Sequence, residues 1–183
     1  MNFEELKKEA VREIGNALEN IDETHREAFF CALEKAERVF CAGAGRSKLI
    51  VSAFAMRLMH MGFKTHVVGD MTTPGIKKED ILLLVSGSGE TGSLVAMAHK
   101  AIKLGAKVLL VTSNEHSTLS ELSSEMVYIP SSNKLYEGKP SIQPGANLFE
   151  QSALIYLDLL IADYMNRKGI NNQNLMQNHA NLE

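Results

Sequence analysis

Five large apolar residues in succession, Ile81-Leu82-Leu83-Leu84-Val85, run straight into the polar, glycine-rich stretch Ser86-Gly87-Ser88-Gly89-Glu90-Thr91-Gly92-Ser93. An uninterrupted apolar run between turn residues is what a strand requires when both of its faces are covered, as in the middle of a parallel sheet. Such a strand obliges the rest of the chain to supply helices on both sides of the sheet.

The neighbouring segments meet that demand. Val39-Phe40-Cys41-Ala42 reads as another buried strand, followed at once by Gly43-Ala44-Gly45-Arg46-Ser47. A helix from Ser47 to about Met61 carries Ile50, Phe54, Leu58 and Met61 on one face, and Gly62 stops it. Thr65-His66-Val67-Val68 predicts a short strand, and Asp70 to Pro74 a loop. After the apolar run, a helix from near Gly92 to about Leu104 ends at Gly105; a strand at Lys107 to Val111, a short helix at Leu119 to Leu122 and a strand at Met126 to Ile129 follow. Four strand-to-helix crossovers thus precede a fifth strand. This alternation predicts an α/β chain, a three-layer α/β/α sandwich on a largely parallel five-stranded sheet.

The flanks are simpler. Phe3, Leu6, Ala10, Ile14, Ala17 and Leu18 have helical spacing, and a second helix with Phe29, Phe30, Leu33 and Ala36 follows. Asp22 or Thr24 is its expected cap, since Thr24 and Glu27 have capping-box spacing. Pro130 to Gly145 is polar, holds three of the four prolines, and reads as a long functional loop. The last helix, Leu148 to about Met165, is apolar around most of its circumference and is expected to be covered by the domain or by another subunit. The polar tail from Asn171 is expected to fray. The chain therefore divides into N-terminal helices (1–36) packed on the domain or on a partner, a central domain (37–168), and a C-terminal tail (169–183).

Composition removes several function classes. At 183 residues the chain suits one domain, and a net charge of -3 argues against coating a nucleic acid or an anionic membrane. No apolar run approaches the length of about 18 residues that spans a bilayer, and no charged leader precedes an apolar segment. Cys31 and Cys41 have neither metal-ligand nor disulfide spacing and read as buried, inert thiols in a reducing cytoplasm. The cluster Met56, Met59 and Met61 reads as packing, so neither metal nor cofactor is expected.

In a parallel α/β sheet, ligands bind beyond the carboxyl ends of the strands, where both glycine-rich loops fall. Ser86, Ser88 and Thr91 offer hydroxyls, Gly87, Gly89 and Gly92 permit tight turns, and the helix start beyond them carries a partial positive charge suited to phosphate. Arg46 and Ser47 add an ion-pairing group and a hydroxyl from the first loop. Glu90 fits an anion site only if its side chain points outward or meets sugar hydroxyls. The first loop has Lys48 where a dinucleotide fingerprint needs its third glycine, which weakens a nucleotide reading built on Asp70.

Glu150 stands where the long loop enters the last helix. It is either a general base or, with Asn147 at capping-box spacing, a helix cap; residue chemistry leaves the two open. His60 is a core-edge residue, a C-terminal helix partner or a group assisting sugar-ring opening. His66, His99 and His116 read as structural, with His116 the best placed of them, and His179 matters only if the tail folds over a pocket. Lys134 and Lys139 read as solvated loop charges.

Cys41-Ala42-Gly43-Ala44-Gly45-Arg46-Ser47, Arg57-Leu58-Met59-His60-Met61-Gly62, Ser86 to Thr91, Gln143 to Glu150 and the ending His179-Ala180-Asn181-Leu182-Glu183 together resemble the sugar isomerase (SIS) family, and most closely its 6-phospho-3-hexuloisomerases. The resemblance spans nearly the whole chain. It implies reversible conversion of D-arabino-hex-3-ulose 6-phosphate to D-fructose 6-phosphate through a cis-enediol, without metal or redox cofactor, in formaldehyde fixation or pentose-phosphate supply. It implies Glu150 as the base, His60 as a second acid-base or ring-opening group, and substrate contacts at Arg46, Ser47, Ser86, Gly87, Ser88, Gly89, Glu90 and Thr91. It further implies a homo-oligomer, commonly a tetramer, with pockets near subunit boundaries. The competing readings are an aldose-ketose isomerase such as an arabinose 5-phosphate isomerase, and a non-catalytic sugar-phosphate sensor. The sensor is disfavoured because no DNA-binding pattern precedes the first strand.

Overall fold

In the computed structural model, which describes residues 1–131 and 141–182, the apolar run forms β3 (Ile81–Val85) with every residue buried. It pairs with β1 (Val39–Gly43) and β4 (Lys107–Thr112), while β2 (Thr65–Val67) and β5 (Glu125–Tyr128) are the edges. All pairings are parallel, in the order β2-β1-β3-β4-β5. The winding direction reverses between β1 and β3. The crevice beyond their carboxyl ends is therefore the topological switch point, where an open parallel sheet leaves room for a ligand.

Alternation along the strands divides the core. Ile81, Leu83 and Val85 join Val39, Cys41, Leu109 and Val111 on one face, whereas Leu82 and Leu84 join Phe40, Ala42, Val108 and Leu110 on the other. The first face is covered by α2 (Arg26–Lys35), α3 (Gly45–His60) and α6 (Asn147–Lys168). The second is covered by α4 (Gly92–Lys103) and α5 (Thr118–Leu122). The outermost helix, α1 (Phe3–Glu19), packs on α6, and Ala17 is its buried residue. Its start carries a capping box in which Asn2 and Glu5 each accept the other's backbone N–H, at 3.0 and 2.8 Å.

Several local expectations change. Three crossovers contain helices, not four, because the connection from β2 to β3 is a loop. Asp22, not Thr24, is the capping side chain before α2: it accepts from Thr24 N at 2.9 Å and opens a 3-10 turn over Glu23–His25. On α3 the fully buried stripe is Val51, Phe54 and Leu58, while Ile50 and Met61 are half-buried. Met56 and Met59 are exposed, so they are not core packing. Cys41 is buried and its thiol is pushed up to about 12 by that burial, but Cys31 is only half-buried. The tail is also more ordered than its composition predicts. It forms α7 (Asn172–Met176), Asn178 Nδ2 donates to the His60 carbonyl at 3.1 Å, and the His179 and His60 rings stack with centroids 5.2 Å apart. Lys134 and Lys139 lie outside the described residues.

Candidate active site

Three helix N-termini converge on the switch point. Those of α3, α4 and α6 have Ala44, Thr91 and Ala146 at the cap position, and none of the three receives a side-chain cap. Elsewhere Asn2, Asp22 and Ser117 cap their helical turns with side chains, while α2, with His25 at its cap position, also lacks one. The first N–H groups of a helix have no intrahelical partner, so uncapped ends directed at one cleft favour an anion there. The cleft holds about 440 Å³ and is lined by 44–47, 85–88, Thr91, Leu94, 144–147 and Glu150.

The second glycine loop is held from behind. The Gly87 carbonyl accepts from Ser113 N at 3.2 Å and Ser113 Oγ at 2.9 Å; the Ser88 carbonyl accepts from Asn114 Nδ2 at 3.0 Å; the Gly89 carbonyl accepts from Leu119 N at 3.1 Å. Within the loop, Gly89 N donates to Ser86 Oγ at 3.2 Å and Glu90 N to Ser88 Oγ at 3.3 Å. Three carbonyls thus bond to the β4–α5 side, which reserves the opposite face of the loop for donors. Gly89 is required twice over: its φ is +67°, and an added Cβ would stand 2.0 Å from Ser117 Oγ. At Gly87 a Cβ would stand 3.0 Å from the Phe149 ring, so this glycine lets the start of α6 close on the loop.

Opposite the loop, Arg46 Nε donates to Glu150 Oε2 at 2.6 Å. The carboxylate is nearly buried, with 10% side-chain exposure, while the guanidinium is 57% exposed. The open alternatives for Glu150 are therefore separated: Asn147 is the first helical residue, no side-chain cap forms, and the carboxylate meets Arg46. Arg46 in turn is not a free cation awaiting phosphate. It lines the cleft as one half of an ion pair.

The profile of the SIS domain matches residues 32–151. A 3-hexulose-6-phosphate isomerase of Bacillus subtilis is 38% identical over 177 residues, covering 90% of this chain and 96% of the relative. One from Methanocaldococcus jannaschii is 37% identical over 148 residues, covering 81% and 78%. The crystal structure of a Methanococcus jannaschii protein, from which a 3-hexulose-6-phosphate isomerase function was inferred, superposes with a TM-score of 0.84 at 32% identity, covering 98% of this chain and 99% of that one.

The chain belongs to the SIS family, with the 3-hexulose-6-phosphate isomerases. In this SIS chain the cleft gathers Arg46, Ser47, Ser86, Gly87, Ser88, Thr91 and Glu150. Three expected site residues are not among its lining. Gly89 is buried behind the loop. Glu90 turns outward, where its carboxylate accepts from Thr118 N at 2.7 Å and Thr118 Oγ1 at 2.8 Å; those bonds lower its pKa. His60 closes the far end of α3, fourteen positions from Arg46, or about 21 Å along the axis at 1.5 Å per residue. Burial, then the neighbouring His179 and Arg57, lower the His60 pKa and favour the neutral ring.

Of the other histidines, His66 lies against Phe40, whereas His99 and His116 are exposed and outside the cleft lining. Asp70 is exposed and also outside it, which removes the nucleotide reading. Sequence reasoning missed Thr112, Ser113 and Asn114, the supports behind the loop; their signal was three polar residues at the carboxyl end of a buried strand. It also missed the wall 144–147. Among the described residues there is no cluster of three metal-ligating side chains and no helix long and apolar enough to cross a membrane.

Proposed function

We propose that this chain interconverts D-arabino-hex-3-ulose 6-phosphate and D-fructose 6-phosphate, with Glu150 as the base and the loop from Ser86 to Thr91 as the phosphate cradle. The observation that carries the reading is the Arg46–Glu150 pair, set beside three uncapped helix termini in one cleft. Relatives named for this reaction, aligned over most of their length, support the substrate class.

The 6-phosphate docks on the hydroxyls of Ser47, Ser86, Ser88 and Thr91 and on the N–H groups of the uncapped helix starts, which leaves the carbonyl end of the open-chain sugar at Glu150. The carboxylate removes the proton from C2 as the C3 carbonyl becomes enolic. The same carboxylate returns the proton to C3 of the cis-enediol, and the hydroxyl proton passes from O2 to O3. Arg46 orients the carboxylate and places its free N–H groups where negative charge develops on the substrate oxygens.

The working unit in this reading is the central domain 37–168 in a homo-oligomer, a tetramer by family resemblance. The exposed Leu49, Met56 and Met59 on α3 and Ile155 and Leu159 on α6 support association, since uncovered apolar side chains favour burial. Because His60 stands at the far end of α3, its proposed acid-base role is exerted on the pocket of another copy, near which the tail with His179 would also lie. A phosphorylated ketohexose, not nucleic acid or membrane, is the proposed partner, in a cytoplasmic role in formaldehyde fixation or pentose-phosphate supply.

Supplying hex-3-ulose 6-phosphate to the purified protein and measuring fructose 6-phosphate tests the reaction. Product should form without added metal or nicotinamide. A folded, phosphate-binding sample that forms none would overturn the reading, and turnover of arabinose 5-phosphate in its place would select the aldose-ketose alternative.

A further inference from the structure

Residues 141–143, just before the cleft wall, are held by a side chain from the opposite end of the chain. Glu13, on α1 and outside the segment matched by the SIS profile, takes three donors from consecutive loop residues. Its Oε2 accepts from Ser141 Oγ at 2.6 Å and from Gln143 Nε2 at 3.2 Å, and its Oε1 accepts from Ile142 N at 3.0 Å. Ser141 Oγ also accepts from Gln143 N at 2.9 Å, which fixes the backbone turn between them. Glu13 is half-buried and Gln143 is buried. Carboxylate bonds that are partly withdrawn from water are stronger than neutral ones and impose direction.

The next residues are the cleft wall. Pro144 to Asn147 line the cavity opposite the phosphate loop, Gly145 has a φ of +64°, and Asn147 N bonds the Pro144 carbonyl at 3.3 Å. With the phosphate seated on the loop from Ser86, this wall is what the sugar carbons meet. We propose that Glu13 is a positioning residue for catalysis: it latches 141–143 so that 144–147 closes the sugar side of the cleft. The inference rests on the substrate class given above.

The latch reaches the wall directly, whereas the base, one turn further along α6, and the Ser86–Thr91 loop have anchors of their own. Glu150 lies on α6, which is fixed by the burial of Phe149, Ala153 and Leu157, and the phosphate loop is fixed from β4 and α5. Losing the latch therefore weakens sugar binding with little change in turnover or phosphate affinity. A glutamine at position 13 offers one acceptor oxygen in place of two, so the three bonds cannot all persist unless Ser141 or Gln143 turns over.

The test compares Glu13→Gln, Ser141→Ala and the double variant with the unsubstituted protein, and uses Arg12→Gln, on the solvent side of the same helix, as the control. Each single variant should raise KM for hex-3-ulose 6-phosphate at least fivefold while kcat stays within twofold and the inhibition constant of inorganic phosphate is unchanged. The double variant should be no worse than Glu13→Gln, because both changes break one latch. Lowered melting temperature with unchanged KM would overturn the proposal, as would an equal loss of phosphate affinity or a fall confined to kcat. If Glu13→Gln does not fold, Ser141→Ala alone decides by the same criteria. Inactivity of the unsubstituted protein would count against the reaction and not the latch. The latch is then read from calorimetric dissociation constants of fructose 6-phosphate against inorganic phosphate: a fivefold loss for the sugar alone supports it, and parallel or absent changes overturn it.

Discussion

Arg46 and Glu150, 104 positions apart in the chain, meet through a 2.6 Å bond from Nε to Oε2, with the first on the entry turn of α3 and the second on that of α6. The pair joins the two helices at the mouth of the cleft and fixes the direction of the carboxylate. Glu150→Gln should therefore abolish most exchange of the substrate C2 proton with solvent deuterium, by roughly 10²–10⁴-fold, the usual contribution of a positioned general base. Its folding and its affinity for inorganic phosphate should persist. Proton exchange near the normal rate would move the catalytic role elsewhere.

The phosphate loop makes a second prediction. Ser88→Ala removes one hydroxyl donor to a dianion, a bond worth about 1.5–3 kcal/mol, and should weaken phosphate binding roughly tenfold to a hundredfold. Gly89→Ala should do more, since its Cβ collides with Ser117 Oγ and the backbone holds a φ of +67°. Isothermal titration with inorganic phosphate measures both.

On the side of the sheet away from the cleft, Arg38 clamps Asp80 through bonds of 3.0 and 2.6 Å, and Lys77 N adds a third at 2.6 Å. Burial alone raises the Asp80 pKa, but Arg38 and the Lys77 amide outweigh it and the net shift is downward. The stabilisation is thus fully present above the unfolded value of about 3.9 and is lost as pH falls through the lower folded value. Asp80→Asn leaves Arg38 unpaired at a site of 14% side-chain exposure and should cost about 3–5 kcal/mol at pH 7. Urea unfolding at pH 7 and pH 3 should show the difference between the two proteins shrinking with acid.

His60 titrates with the opposite consequence for its charge. Its folded pKa lies below the unfolded value of about 6.5, because burial, His179 and Arg57 disfavour the imidazolium. The unfolded chain binds the extra proton in that window, so stability is full above pH 6.5 and declines on acidification towards the folded pKa. His60→Phe, which leaves no orphaned partner for the unpaired Nδ1, should flatten the slope between pH 7.5 and 5.5 in thermal melts. An unchanged slope would assign the pH dependence to another group.

The layered α/β arrangement was legible because it depends on local patterns. Ile81 to Val85 must be covered on both faces wherever it lies, and a glycine-serine turn after such a strand must sit at a carboxyl edge. The position of the Ser86–Thr91 loop in the cleft was legible for the same reason. Glu90 was not, because its direction is set by Thr118, 28 positions away on another element. Of the two expected caps, Asp22 and Thr24, the backbone path selects Asp22, and it opens the 3-10 turn over Glu23–His25, leaving α2 itself without a side-chain cap.

Pattern and spacing by themselves determined the parallel sheet and the two glycine loops at its carboxyl edge, which follow from neighbours within a few positions. Tertiary structure decided what side chains do across long separations. It gave the Glu150 carboxylate to Arg46 and not to its own helix start, stacked the His179 ring of the tail on His60, and brought Glu13 to the loop wall. A side chain's partner is fixed by where the backbone delivers it, and that delivery is a property of the packed layers as a whole.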